Sequence, residues 1–396
     1  MDSVDIMSNA NSLLRATKRL ERASKWKEST QRIICNRLRE IWKLRQTLKE
    51  GTYNPLPGTE FRLNEHGRIR LIKALRPRDL CVQHSLCDSV LFPRLRRYLI
   101  HDNGASQKGK GISFTRRRFE QHLRRFFREH GRDGYILLID FRKFFDNIEH
   151  EKLVKAILRK IPEERLGKLF HALLKPYEID VSWSEDPDII DKVFSALDYQ
   201  SVPREKKTGK RFMRKSLGIG APISQISGVF FPTRIDTYCK HVLQVKDYDI
   251  YMDDRAILHQ SKEFLFGLLD EFEKQAQSIG LHINRRKTQI VKISHGFTFL
   301  KTKYTLTETG KIVREIPCDV VIQQRRKMKK LAAFVVKGEM TVKQFKEQYQ
   351  SWRGDKKRYN VTGTLRSMDT LYRRLEKWIR MKSKPLSKRK NRESAT

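Results

Sequence analysis

Cysteine is scarce: Cys35, Cys81, Cys87, Cys239 and Cys318 are odd in number, widely spaced and without a C-x-x-C pair. That pattern argues against a disulfide framework and against a zinc knuckle, so buried free thiols in a reducing compartment are expected. The chain has no apolar run of about 18 residues, the length a spanning helix needs. Its polar start, Met1–Asn11, lacks the hydrophobic segment of a signal peptide. The expectation is a cytoplasmic protein with no membrane partner. Carboxylates are few beside cations, with 46 Asp plus Glu against 84 Lys plus Arg and a formal net charge of +38 in 396 residues. So basic a chain repels itself unless a polyanion neutralises it, which points to nucleic acid. Apolar residues are not lacking. A hydrophobic content of 38% with 21 Phe, 12 Tyr and 5 Trp can fill a sizeable core, and the length allows two or three compact units.

Residues 12–50 read as a basic helical arm, with Leu13, Leu20, Ile34, Leu38, Ile41, Trp42 and Leu48 interleaved with Arg and Lys and with Gly51 and Pro55 ending the pattern. Such an arm suits either packing on the body or tracking phosphates. Phe61 and Leu63, then Ile69, Leu71 and Ile72, flank a turn at Asn64–Gly67 and predict a hairpin. A helix from about Arg78 to Leu99, a Gly/Lys/Ser loop at Asn103–Ser113 and a very basic helix carrying Arg116, Arg117, Arg118 and Arg124 follow. Tyr135–Ile139 is a short continuous apolar run ending at Asp140, the pattern of a strand buried on both faces. Helices are expected over 150–175. Residues 176–216 look like an insertion, acidic first (Asp186, Asp188, Asp191) and then basic (Lys206, Lys207, Lys210). From about Asp319 helices dominate, with Ile322, Met328, Leu331 and Phe334 at helical spacing.

Two places can carry chemistry. One is the strand end Ile139-Asp140-Phe141, running on through Phe144-Phe145-Asp146-Asn147-Ile148. The other is Tyr248-Asp249-Ile250-Tyr251-Met252-Asp253-Asp254 followed by Ala256, Ile257 and Leu258, which reads as a hairpin with two adjacent carboxylates at its turn. Phosphoryl transfer from a nucleoside triphosphate needs two divalent ions roughly 4 Å apart, held by carboxylates on rigid neighbouring strands. Like charges side by side repel, so metal binding gives Asp253 and Asp254 a purpose that folding does not. An Asp-Asp at a hairpin turn is commonplace by itself. Its weight comes from Asp140 and the flanking elements.

At these residues the chain resembles the reverse transcriptases. Tyr251-Met252-Asp253-Asp254 is similar to their signature tetrapeptide, and Asp140 through Ile148 to their first palm motif in the form seen in group II intron enzymes. The similarity runs in the family's order from about Arg68 to Tyr304. It implies an α+β right-hand polymerase in which Asp140, Asp253 and the backbone carbonyl of Phe141 hold two Mg²⁺ ions, or Mn²⁺ in their place, with Asp254 in support. Phe145 matches the steric gate that favours deoxynucleotides, although a single Phe out of context would be an ordinary core aromatic. Gly220-Ala221-Pro222-Ile223-Ser224-Gln225 matches the segment packed against the incoming nucleotide. Lys287, in Gly280-Leu281-His282-Ile283-Asn284 through Thr288, matches the lysine that protonates pyrophosphate. Gly296, Phe297, Phe299 and Leu300 resemble the primer grip. Arg68, Arg70 and Lys73 sit where fingers cations meet the triphosphate, and each could equally contact template. Two departures stand out: Arg255 in place of an apolar residue, pairing with Asp254 or reaching nucleic acid, and Lys301 in place of Gly.

Ser224-Gln225, where group II intron enzymes and retrons carry Ser-Pro, and Leu80-Cys81-Val82-Gln83-His84-Ser85-Leu86 both resemble diversity-generating retroelement enzymes and related bacterial, defence-associated lineages. The implied layout is a basic arm over 1–50, fingers over 51–130, palm over 131–310 with the 176–216 insertion, a helical thumb over 311–382 and a disordered basic tail over 383–396. The implied partners are an RNA template, a DNA or RNA primer, dNTPs, a cognate structured RNA and an accessory protein, with the arm and the insertion as candidate contacts. Two other classes compete. An RNA-dependent RNA polymerase shares the palm, but Phe145 and the Met-Asp-Asp form disfavour it. A non-catalytic RNA-binding scaffold would not need all three carboxylates.

Overall fold

The computed structural model describes residues 2–382 apart from 66, 67, 191, 196, 197 and 200, with the backbone alone of 65, 68, 190 and 204. The tail at 383–396, the turn residues His66 and Gly67, and Asp191 therefore lie outside the described residues. The chain divides into two compact units, Met1–Phe126 with Tyr135–Ile290, and Phe127–Gly134 with the residues from Val291 onward. No helix among the described residues is long and apolar enough to cross a membrane.

In the first unit the arm forms helices Ala10–Ser24, Glu28–Cys35 and Arg37–Glu50. Leu13, Ala16, Thr17 and Leu20 make one buried stripe at helical spacing, and Ser85 Oγ donates to Met7 O at 2.6 Å in the helix Pro77–Leu86 that faces it. That stripe packs on the body, while Trp26, Leu38 and Trp42 stay exposed. Gly51 ends the last of these helices at φ 72°, the left-handed geometry that costs glycine least. β1 (Thr59–Glu65) and β2 (Arg68–Ala74) pair antiparallel as the expected hairpin.

β3 (Tyr135–Ile139) is buried from Ile136 through Ile139. Within residues 176–216, β4 (Ile179–Asp180) and β5 (Phe212–Met213) pair antiparallel over a small core of Ile179, Val181, Ile189, Phe194 and Met213. Buried Asn147 ties this segment down: its Oδ1 accepts from Phe194 N at 2.8 Å and its Nδ2 donates to Phe194 O at 3.1 Å. β6 (Asp247–Tyr251) and β7 (Asp254–His259) form the second hairpin, and β3 pairs antiparallel with β7. With β8 (Gln289–Lys292) the sheet order is β6-β7-β3-β8. The outer border of β6 is covered by the Asp102–Gly104 segment, where Gly104 N donates to Ile250 O at 3.0 Å and Ile250 N to Asp102 O at 3.2 Å.

In the second unit β9 (Phe297–Phe299), β10 (Thr302–Leu306) and β11 (Ile312–Glu315) make an antiparallel sheet in the order β11-β10-β9. Three helices follow, Cys318–Val336, Val342–Lys356 and Thr362–Lys382. Thr341 and Gln344 build a reciprocal capping box at the start of the middle helix. Tyr349 and Tyr372 stack at 4.6 Å, and Arg353 grips Asp369 through two bonds of 2.8 and 3.0 Å. Met328 is buried but Ile322, on the same apparent stripe, is exposed. The five cysteines are free thiols. Cys81, Cys87 and Cys239 are buried, whereas Cys35 and Cys318 are exposed, against expectation, because each sits at an end of a surface helix.

Candidate active site

The β6–β7 hairpin closes at the pair Tyr251↔Asp254, so Met252 and Asp253 form the turn and Asp254 opens β7. β3 meets β7 through Ile139↔Arg255, so the residue leaving β3, Asp140, comes alongside that turn. The two turn carboxylates sense the charge of Asp140. Burial and the charge of Asp140 hold Asp253 above the usual carboxylate range. Burial, then Asp253 and then Asp140, push Asp254 up to about 6. Converging, half-buried carboxylates that repel one another are hard oxygen donors suited to divalent cations, so this donor set fits Mg²⁺ or Mn²⁺.

A second segment steadies Asp140. Asn284 N donates to Asp140 O at 2.7 Å and Asn284 Nδ2 to Asp140 Oδ2 at 2.9 Å. Asp140 N donates to Thr288 Oγ1 at 3.3 Å, and Lys287 Nζ stands 3.5 Å from Asp140 Oδ2. A backbone bridge Phe141↔Ile283 and the bond from Arg142 N to His282 O at 2.8 Å extend the seam. The spacing Asn284-x-x-Lys287-Thr288 was the available signal for this cradle, and only its lysine stood out in the sequence.

Arg255 does neither of the things expected of it. It pairs with none of Asp140, Asp253 and Asp254 through their carboxylates and does not reach solvent. Its guanidinium is fully buried, with Nε 3.4 Å from Asp236 Oδ1 and Nη1 donating to Met252 O and to Asp253 O, each at 3.3 Å. Tyr248 Oη donates to the same Asp236 oxygen at 2.7 Å. The guanidinium carbon lies 4.7 Å from the centre of the Phe141 ring and 5.8 Å from that of Phe272. A buried cation needs a buried anion and ring faces, and these supply both. The turn needs the support: Met252 is at φ 58°, a left-handed conformation costing a non-glycine residue of order 1 kcal/mol.

Phe145 packs edge-on against Phe144 at 5.3 Å and lies over Gly228 of the helix Pro222–Phe230. A Cβ added at Gly228 would fall 2.8 Å from the Phe145 ring, so the glycine is what admits it. Gln225 is exposed on that helix. The charge of Arg70 bears on Asp253, Lys73 is paired with Glu60 at 3.0 Å, and the side chain of Arg68 lies outside the described residues. Gly296, Phe297, Phe299 and Leu300 belong to the second unit, where β9 and β10 join through Leu300 at φ 48° and Lys301 at φ 57°. Lys301 thus adopts the conformation that a glycine would fill without strain.

One further group has metal-ligand composition: buried Asp102, His122 and Asp249, with donor atoms within 4.8 Å of one another. Its charges are already balanced. Arg118 Nε donates to Asp102 Oδ1 at 2.7 Å, Lys240 Nζ is 4.0 Å from Asp102 Oδ2, and His122 Nδ1 meets Asp249 Oδ2 at 2.7 Å. An ion there would have to displace these cations, and the group reads as a buried charge network behind β6.

Residues 80–304 match the family model described as reverse transcriptase (RNA-dependent DNA polymerase). The α+β architecture is accordingly that of a right-hand polymerase, as expected. Among solved structures, telomerase from Candida albicans in complex with the TWJ fragment of telomeric RNA is 12% identical with a TM-score of 0.47, over 82% of this chain and 56% of that one. Apo telomerase from Candida tropicalis truncated from its C-terminal domain is 12% identical with a TM-score of 0.46, over 71% of this chain and 60% of its own. The untruncated apo telomerase of the same organism is 12% identical with a TM-score of 0.44, over 69% and 52%. The chain thus spans little more than half the length of these telomerases. Nothing among the curated proteins matches it.

Proposed function

The chain belongs to the reverse transcriptase (RNA-dependent DNA polymerase) family, and from that premise we propose that it copies an RNA template into DNA by extending a primer with dNTPs. The convergence of Asp140 on the Asp253–Asp254 turn is the observation that carries this reading. A pair of divalent ions, Mg²⁺ by preference, supplies charge stabilisation to the attacking and leaving oxygens when bound. Asp140, Asp253 and the Phe141 carbonyl hold that pair, with Asp254 beside them. Asn284 and Thr288 fix the Asp140 segment, and Arg255 fixes the turn. Arg68, Arg70 and Lys73 bind the triphosphate, and Gln225 lies against the incoming nucleotide. Phe145 sits beneath the sugar and leaves no room for a 2′-hydroxyl. Lys287 Nζ gives its proton to the departing pyrophosphate. Gly296, Phe297, Phe299 and Leu300 hold the primer end.

The biological setting we infer is bacterial, with a dedicated structured RNA serving a diversity-generating retroelement or antiphage defence. Ser224-Gln225 and the Leu80–Leu86 stretch support it. The test is extension of a DNA primer on an RNA template with Mg²⁺, comparing dNTPs with rNTPs and the wild type with Asp253→Asn. Deoxynucleotide-selective synthesis that the substitution abolishes is the expected result. Preference for rNTPs, or synthesis surviving Asp253→Asn, overturns the proposal.

A further inference from the structure

A cleft of about 520 Å³ opens on the first unit, away from the carboxylates, and no Asp or Glu lines it. Beside Lys152, which Glu149 holds at 3.0 Å, four more cations from two helices line it: Lys155, Arg159 and Lys160 at the end of His150–Leu158, and Arg234 in Thr233–Thr237. None of the four forms an ion pair with a carboxylate among the described residues. Cations at a helix C-terminus are favoured by its dipole, which accounts for the first three as a plain surface feature. It does not account for Arg234, for Lys155 and Arg159 set one turn apart where like charges repel, or for what lies between them.

Between them the floor is apolar, built from Phe230, Phe231 and Ile279, and beside it the Thr233 hydroxyl is buried with no hydrogen-bond partner. An apolar recess within a ring of unneutralised cations suits a flat ring carried on a phosphate chain. We propose that this cleft is an accessory site for single-stranded polynucleotide, taking a base into the recess and its flanking phosphates onto Lys155, Arg159 and Arg234. The site is separate from the reaction: none of the residues assigned to the metals, the nucleotide or the primer lines it. An acidic peptide would satisfy the cations but not the recess. The proposal goes beyond the catalytic reading and does not depend on its outcome.

The test uses full-length protein, photo-crosslinkable single strands of about 12 nucleotides and mapping of the crosslinked peptides, in separate RNA and DNA arms that identify the strand bound. Lys155→Glu with Arg159→Glu is the variant. Arg234 is avoided because its helix also carries Asp236. Crosslinks are expected at Tyr98 or Phe231, reduced about tenfold in the variant and by raised salt, while extension of a short preformed primer–template stays within about twofold. Absence of crosslinks at the cleft in both arms, yields unchanged by the variant, or displacement by polyglutamate at equal charge would overturn the site. Failure of wild-type extension would instead count against the catalytic proposal alone.

Discussion

Arg255 reaches back across the sheet to Asp236, Nε to Oδ1 at 3.4 Å, and neither side chain meets solvent. The same guanidinium holds the carbonyls of Met252 and Asp253 and lies over the Phe141 ring. It therefore ties the Asp253 turn and the Phe141 segment to one buried anion. Removing the cation leaves Asp236 unpaired: Arg255→Leu should lose about 3–5 kcal/mol in denaturant unfolding. Arg255→Lys keeps the charge and loses the fork. It should retain most of the stability while kcat falls about 10- to 100-fold and the KM for dNTP changes little. A large rise in KM with unchanged kcat would contradict the positioning role.

Asp254 tests the cost of the carboxylate cluster. Its pKa is raised in the fold to about 6 from 3.8, so its ionised form destabilises the protein fully above about pH 6 and ceases to do so once pH falls below 3.8. Asp254→Asn should therefore stabilise metal-free protein by about 1–2 kcal/mol at pH 8, discounted for its partial exposure. The gain should fall to less than half near pH 4.5 and vanish near pH 3, below the unfolded pKa. Mg²⁺ should raise the Tm of the wild type more than that of the variant. Equal gains at pH 8 and pH 3 would contradict the repulsion.

The ring of Phe145 lies where it does because Gly228 has no Cβ. Gly228→Ala should displace the ring and shift selection between rNTPs and dNTPs, as Phe145→Val should do more strongly. Competition assays read both. Unaltered selection in both variants would show that Phe145 is only a core aromatic.

Asn147 anchors the 176–216 segment through two bonds to the Phe194 backbone. Asn147→Ala leaves those backbone groups buried without partners and should cost about 1–3 kcal/mol. Limited proteolysis should then cut first within 176–216.

The sequence made local features legible. The apolar run into Asp140, the hairpin presenting Asp253 and Asp254, and the apolar positions Leu13 and Leu20 of the N-terminal helices all follow from patterns within a few residues. What it hid were contacts between distant segments. Asp236 and Tyr248 look like ordinary residues until the fold brings Arg255 between them, and the meaning of Asn284 and Thr288 depends on a seam with Asp140 more than a hundred positions away. The sequence grouped Ile322 with Met328, yet residues six apart point about 120° apart on a helix, and it is Val321, two full turns before Met328, that packs with it while Ile322 is exposed. Lys301 departs from glycine in letter but not in backbone conformation.

The segment Asp102–Gly104 lies along the free border of β6 and takes up the Ile250 amide and carbonyl. An uncovered border there would offer those groups to any extended chain and invite aggregation through added strands. With that stretch closed, a concentrated preparation has no open ladder at Ile250 on which copies could zip together.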